Sequence, residues 1–310
     1  MLDIYSREII YELLKDGRSS NAAIAKKLGI SVLTVAKKIN AMTKDKVISI
    51  QAVPNPVKMG NYASALIGIN IDIKRMESIR AELKKVPGIH IMVSTFGRFD
   101  LLLLVFFPNW RLLENFSKIE LRRIDGVNSV CTFIISEMKM GYNVIFDNVP
   151  AENSRDLSEM EWELISDLMK DGRPQYAVLA KKLNTSTSTI SRRITSLIED
   201  NFIQIVAIPN IGLVNLVDAF IFINVDFSKI DAIFNTLAGC VETNLIVKMM
   251  NEYDIMVAIH ANEPGHVYRF IERNIASLDG VLKIETFLVV DFMHFSTDAL
   301  IPEKISHIRK

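Results

Sequence analysis

The sequence predicts an α+β chain made of two copies of one module, each a trio of short helices followed by a βαββαβ antiparallel sheet domain. Three observations carry that expectation. The first is self-similarity: Leu13-Leu14-Lys15-Asp16-Gly17-Arg18 returns as Leu168-Met169-Lys170-Asp171-Gly172-Arg173, and Ala25-Lys26-Lys27-Leu28 as Ala180-Lys181-Lys182-Leu183, both 155 positions on. Pro54-Asn55 returns as Pro209-Asn210 at the same offset, while Ile69-Asn70-Ile71-Asp72 and Asp125-Gly126-Val127 return as Ile223-Asn224-Val225-Asp226 and Asp279-Gly280-Val281 at 154. Repetition at a fixed period marks a duplicated structural unit. The second observation is helical spacing of apolar residues through the first part of each copy, and the third is a change to strand-like segments and longer helices in the remainder.

Taken in order, Ile4, Ile9, Leu13 and Leu14 form one helical face in 2–47, Ile24 and Leu28 a second, and Val35, Ile39 and Met42 a third. Asp16-Gly17-Arg18 is expected to end the first helix through the left-handed backbone that glycine tolerates, with Ser19 or Ser20 capping the second. Gly29 ends the second helix and Ser31 caps the third; in the second copy Asn184 replaces Gly29, and Asn also visits the left-handed region. That copy places its helices at 162–169, 177–183 and 187–198. A strand follows each trio, at 47–52 and 202–207, and is read as a connector pairing with a partner chain in preference to a wing touching DNA.

The sheet domain of the first copy then reads as strand 62–71, helix 74–85, strands 89–95 and 99–107, helix 110–124 and strand 127–137. In the second the pieces are 217–225, 228–237, 243–250, 253–260, 264–278 and 281–291. The order is βαββαβ, which is ferredoxin-like. Gly97-Arg98 and Asn251-Glu252 are the expected hairpin turns, since Gly and Asn supply positive φ. Residues 101–107 are wholly apolar, as a strand buried on both faces requires. The expected divisions are helix-turn-helix domains at 1–50 and 157–205, sheet domains at 51–147 and 206–310, and a linker at 148–156 that carries Pro150.

Lys plus Arg and Asp plus Glu both number 36 in 310 residues, so any nucleic-acid surface is local. No apolar stretch is long enough to span a bilayer, and no leader pattern is evident, so the cytoplasm is the expected compartment and a membrane is not an expected partner. Two cysteines, Cys131 and Cys240, give no disulfide framework and no thiolate metal cluster. No cofactor is expected. Met138, Met140, Met249 and Met250 read as gap-filling packing residues.

Two helices, a short turn and a third helix with small and basic residues outward describe a helix-turn-helix, whose third helix enters the DNA major groove. In the first copy this leaves Thr34, Lys37 and Lys38 for DNA. In the second, Ser188, Thr189, Ser191, Arg192 and Arg193 are left, and the Arg fork makes this copy the stronger reader. Ser186-Thr187-Ser188-Thr189-Ile190-Ser191-Arg192-Arg193-Ile194, followed by Ile203, resembles the recognition helix of the Lrp/AsnC (feast/famine) regulators, and Gly97-Arg98-Phe99-Asp100 is similar to that family's Gly-x-Tyr-Asp turn. The resemblance covers nearly the whole chain, twice. Ala36 with two Lys in the first third helix, and the missing turn Gly at Asn251, depart from the pattern.

The resemblance implies a transcription regulator that binds double-stranded DNA, whose sheet (RAM) domain dimerises and holds a small effector, often an amino acid. One polypeptide here would mimic a dimer, with its two sheets packed on each other, and homo-oligomers are implied. It also places the effector near the turn between the middle strands, at Thr95, Gly97, Arg98 and Asp100 in one copy and Asn251, Glu252 and Asp254 in the other. The plain alternative is that these residues shape hairpins and cap strand ends. Siroheme decarboxylases share the two-part architecture and some are fusions of two copies. Where they carry His-Asn-Tyr and Tyr-Asn-Leu-Trp runs, this chain has Ile89-His90-Ile91-Met92 and Asp100-Leu101-Leu102-Leu103, a lone histidine. The chain is therefore not expected to be an enzyme, and no His or carboxylate spacing suggests a metal site.

Overall fold

A computed structural model describes residues 2–140, 144–146, 155–209, 217–240, 242–261 and 263–301. The expected linker falls outside them apart from Arg155 and Asp156. The chain divides into two compact units, one of Met1–Lys58 with Ala151–Val214, the other of Met59–Pro150 with Asn215–Lys310. Each unit thus gathers the corresponding halves of both copies.

The first unit holds α1 (Ile4–Lys15), α2 (Asn21–Leu28), α3 (Val32–Lys44) and β1 (Ile48–Pro54) from one copy. Its helix ends follow local chemistry. Ser20 and Ser31 accept the Ala23 and Thr34 backbone N–H groups, and Gly29 closes α2 at φ 66°. Val35, Ile39 and Met42 fill the core beside Ile9, Leu13 and Ile24.

The structural equivalents in the second copy are α7 (Glu159–Leu168), α8 (Tyr176–Lys182), α9 (Thr187–Glu199) and β7 (Ile203–Pro209). Asn184 takes φ 48° where Gly29 stands in the first copy. β1 and β7 pair antiparallel, with Gln51 opposite Val206, so the connector strand finds its partner within the chain.

Gly17 and Gly172 have a different role from the one expected. Neither has a positive φ. Gly17 donates its N–H to Ile205 O at 2.8 Å and Gly172 donates to Ile50 O at 2.7 Å, so each copy's first turn docks on the other's connector strand. A Cβ at Gly17 would lie 2.8 Å from Ile205 O and Val206 Cα, and one at Gly172 3.0 Å from Gln51 Cα. Close approach of two backbones, rather than a left-handed turn, requires glycine here.

The second unit contains β2 (Ala63–Ile71), α4 (Met76–Leu83), β3 (Ile89–Phe96), β4 (Leu101–Phe107), α5 (Trp110–Asn115), α6 (Leu121–Arg123) and β5 (Val127–Met140), to whose end β6 (Val144–Phe146) pairs. From the second copy come β8 (Val217–Val225), α10 (Ile230–Ala238), β9 (Thr243–Met250), β10 (Ile255–Ala261), α11 (Pro264–Phe270) and β11 (Val281–Phe295). The second helix of each sheet domain runs into a π-helical turn, Phe116–Glu120 and Ile271–Ile275.

Each copy forms a four-stranded antiparallel sheet, as expected. The two sheets are also joined at both edges, by β3 with β11 and by β5 with β9. The strand order β2-β4-β3-β11-β8-β10-β9-β5 returns to β2, so eight strands close a ring and those sheets keep no free edge. Alternate residues face outward onto helices, with Ile67, Leu103, Val105 and Phe116 in one cluster and Ile221, Val257, Phe234 and Phe270 in the other. The others face the interior, where Phe99, Phe133, Phe222, Tyr253 and Phe287 meet at centroid distances of 4.7 to 5.9 Å. Gly68 leaves room for that packing, because a Cβ there would lie 2.6 Å from the Phe99 ring.

Candidate DNA-reading helices and effector turns

The basic residues of α3 and α9 divide in the same way. Lys38 donates to Asp3 Oδ2 at 2.6 Å, which with the Ser6 N–H holds the Asp3 carboxyl down at about 2. Its counterpart Arg193 donates to Glu161 Oε1 at 3.4 Å. Both side chains therefore tie the third helix back to the start of the first. Lys37 and its counterpart Arg192 are exposed and form no ion pair among the described residues.

The second helices repeat this division. Lys27 pairs with Glu12 and Lys182 with Asp167, at 2.7 and 2.6 Å, while Lys26 and Lys181 form no ion pair among the described residues. Sequence alone does not separate the tethered from the untethered member of each basic pair, because the carboxylate that decides it lies on another helix.

The hydroxyls sit at the helix starts. Thr34 Oγ1 lies 2.8 Å from Ser31 Oγ, and Ser188 Oγ and Thr189 Oγ1 lie 2.8 and 2.9 Å from Ser186 Oγ. Ser191 is partly exposed one turn further on. Leu33 is 63% exposed beside them, so the first copy presents an apolar side chain where the second presents Ser188.

Glu161 is the electrostatic anchor of the second trio. It is 1% exposed and accepts from Arg155 at 2.9 and 3.1 Å, from Ser158 N at 2.9 Å and from Ser158 Oγ at 2.8 Å. Burial pushes its carboxyl up, and the Arg155 and Ser158 hydrogen bonds outweigh that and hold it at about 2.

In the second unit the two hairpin turns meet. Arg98 from one is hydrogen-bonded and ion-paired to Glu252 from the other, which raises the guanidinium pKa. The remaining candidates are engaged in the fold. Thr95 Oγ1 donates to Phe99 O at 2.6 Å, and Asn251, at φ 115°, donates to Thr132 O at 2.7 Å. Asp100 and Asp254 each use one carboxylate oxygen on a backbone N–H, Ile71 at 2.8 Å and Val225 at 2.9 Å. Gly97, at φ 151°, packs against the Phe287 ring.

Tyr253 stands in the place of Phe99 and donates its hydroxyl to Glu285 at 2.6 Å; burial first and then Glu285 push its pKa to about 12. The lone histidine of the first copy's middle strands is sealed. His90 is fully buried between Phe106 and Phe295, with Nδ1 2.7 Å from Ser296 O, and burial lowers it to about 4.

Comparison with known proteins bears on both units. A family model described as winged helix-turn-helix DNA-binding matches residues 2–49 and 157–204. One described as the Lrp/AsnC ligand binding domain matches 64–144 and 218–296. An uncharacterised helix-turn-helix transcriptional regulator of Pyrococcus furiosus is 30% identical over 148 residues, covering 47% of this chain and 100% of that protein. The leucine-responsive regulatory protein of Salmonella typhimurium is 29% identical over 142 residues, 44% of this chain and 85% of its own length. Among solved structures, the siroheme decarboxylase NirDL superposes with a TM-score of 0.62 over 98% of both chains at 15% identity, a likeness of fold.

Proposed function

As a member of the Lrp/AsnC family that carries the family's helix-turn-helix and ligand-binding domains twice, this chain, we propose, is a sequence-specific DNA-binding regulator in which one polypeptide does the work of a dimer. The observation that carries the reading is the repeated division of basic residues. One member of each pair secures the third helix, and the other, Lys37 or Arg192, is left exposed to meet phosphate or base. Thr34, Ser188, Thr189 and Ser191 add hydroxyl donors at the helix starts, where such helices touch DNA. Lys38 and Arg193 act in this reading by orienting the helix, with the Arg193 fork keeping donors to spare.

The effector region we propose is the meeting of the two turns, Thr95 to Asp100 with Asn251 to Asp254. A small molecule bearing an ammonium and a carboxylate, as an amino acid does, would compete for Glu252 and Arg98, with the second oxygens of Asp100 and Asp254 as further acceptors. Because that pair links the two copies, occupancy would favour one arrangement of the turns over another and so shift a population.

The test is binding of the purified protein to its own upstream DNA at two salt concentrations, with and without an amino-acid panel, and with the absorption spectrum recorded alongside. Tight, salt-sensitive and sequence-selective binding by a colourless protein supports the reading. Absent DNA binding together with a retained tetrapyrrole spectrum would overturn it in favour of decarboxylase chemistry.

A further inference from the structure

The scaffolds of the two helix-turn-helix copies match closely, but their outward faces do not. Residues three, four and seven apart lie on one face of a helix, so α3 presents Leu33, Lys37 and Asn40 together and α9 presents the equivalent Ser188, Arg192 and Thr195. All six are exposed, while the residues between them that face inward, Val35, Ile39 and Met42 or Ile190, Ile194 and Leu197, are buried in both copies. The differences are chemical. A 63% exposed leucine stands opposite a serine, an ammonium opposite a guanidinium fork, and an amide opposite a hydroxyl.

The base edges sort these groups. An exposed apolar side chain matches the thymine methyl, an asparagine amide pairs with adenine N6 and N7, and an arginine fork pairs with guanine O6 and N7. In a symmetric dimer two identical helices impose a palindromic operator. Here the two readers are covalently distinct and that constraint is absent.

We infer that the chain reads a non-palindromic operator of two unlike halves, A/T-rich under α3 with Leu33 and Asn40 as readers, and guanine-containing under α9 with Arg192 as reader. The inference rests on the proposed function and goes beyond it, because DNA binding alone would be equally compatible with a palindrome. The symmetric contacts Gly17 to Ile205 and Gly172 to Ile50 fix the two trios within one unit, so both halves are read by a single chain.

The experiment is selection from a pool of random-sequence duplexes by the full chain at moderate salt, repeated with Arg192→Ala, Arg192→Lys and Leu33→Ser. All three substitutions fall at exposed positions. The expected result is a consensus of two unlike halves. Arg192→Ala removes the guanine preference from one half by about 10-fold or more while leaving the other half intact. Arg192→Lys keeps the positive charge and loses much of that preference, and Leu33→Ser relaxes the thymine preference in the opposite half. A palindromic consensus, or a guanine preference that survives Arg192→Ala, overturns the inference while leaving DNA binding standing. A chain that retains no duplex even at low salt overturns the proposed function itself, and the two failures are therefore distinct.

Discussion

Glu161→Gln tests the electrostatic anchor of the second helix-turn-helix. The native carboxyl lies at about 2 against the ordinary 4.5 of a glutamate. At roughly 1.4 kcal/mol per pH unit that corresponds to about 3 kcal/mol, and partial exposure of Arg155 reduces the expected contribution to about 2 kcal/mol. The sign follows from the direction of the shift. Lowered in the folded state, the group contributes fully above 4.5, and its contribution is lost as pH falls from 4.5 towards 2. Glutamine cannot ionise, so the variant is expected to be about 2 kcal/mol less stable at pH 7 and nearly equal to the native chain near pH 2. Trp162 lies in α7 beside this residue, and Trp110, in the second unit, is the chain's other tryptophan. Urea unfolding read by fluorescence in a Trp110→Phe background therefore reports the unit that holds Glu161. A loss of equal size at pH 7 and at pH 2.5 would refute the charge argument and assign the effect to packing.

Other perturbations separate the remaining roles. Lys37→Ala and Arg192→Ala are each expected to weaken operator binding and to lower the salt slope by about one, read by titration at several salt concentrations; unchanged slopes in both would remove these helices from the interface. Gly17→Ala drives a methyl into the Ile205–Val206 backbone and is expected to destabilise the first unit by about 1–3 kcal/mol in the same fluorescence assay. His90 is held neutral, so the second unit should lose stability as pH falls from 6.5 towards about 4. His90→Leu is expected to flatten that dependence when Trp110 is followed in a Trp162→Phe background. Arg98→Glu places two glutamates at the meeting of the turns and should destabilise the second unit, and adding Glu252→Arg should restore it; absence of rescue would show that the pair is incidental.

What the sequence revealed and what it concealed divide by distance along the chain. The caps Ser20 and Ser31 and the left-handed Gly29 and Asn184 follow from neighbours within a few residues, and all stand where local chemistry places them. The strand and helix order was equally legible, because alternation and helical spacing are local patterns. Gly17 departs from its local expectation, since the group it must avoid is Ile205, in the other copy. The unequal roles of Lys37 and Lys38 were hidden for the same reason, as Asp3 decides them from another helix. Ring closure is also non-local: nothing in β3 alone says that it pairs with β11, and the π-helical turns carry no pattern that distinguishes them from α-helix.

Joining two copies in one chain changes what the copies can become. In a homodimer, a residue at the two-fold axis faces itself, so a charged residue there meets its own sign. Arg98 and Glu252 occupy equivalent positions 154 residues apart, and they face each other as opposite charges. Two separate but identical modules could not form that contact. The same freedom allows Gly68 in one sheet and Phe222 at the equivalent place in the other, one leaving space for Phe99 and the other filling the interior between Tyr253 and Phe287. Pairing in cis also holds the β1–β7, β3–β11 and β5–β9 ladders together at any protein concentration, because no second chain must be captured. The exposed faces of α3 and α9 differ under the same freedom: once folding no longer requires two identical partners, Leu33 and Ser188, or Lys37 and Arg192, need not match.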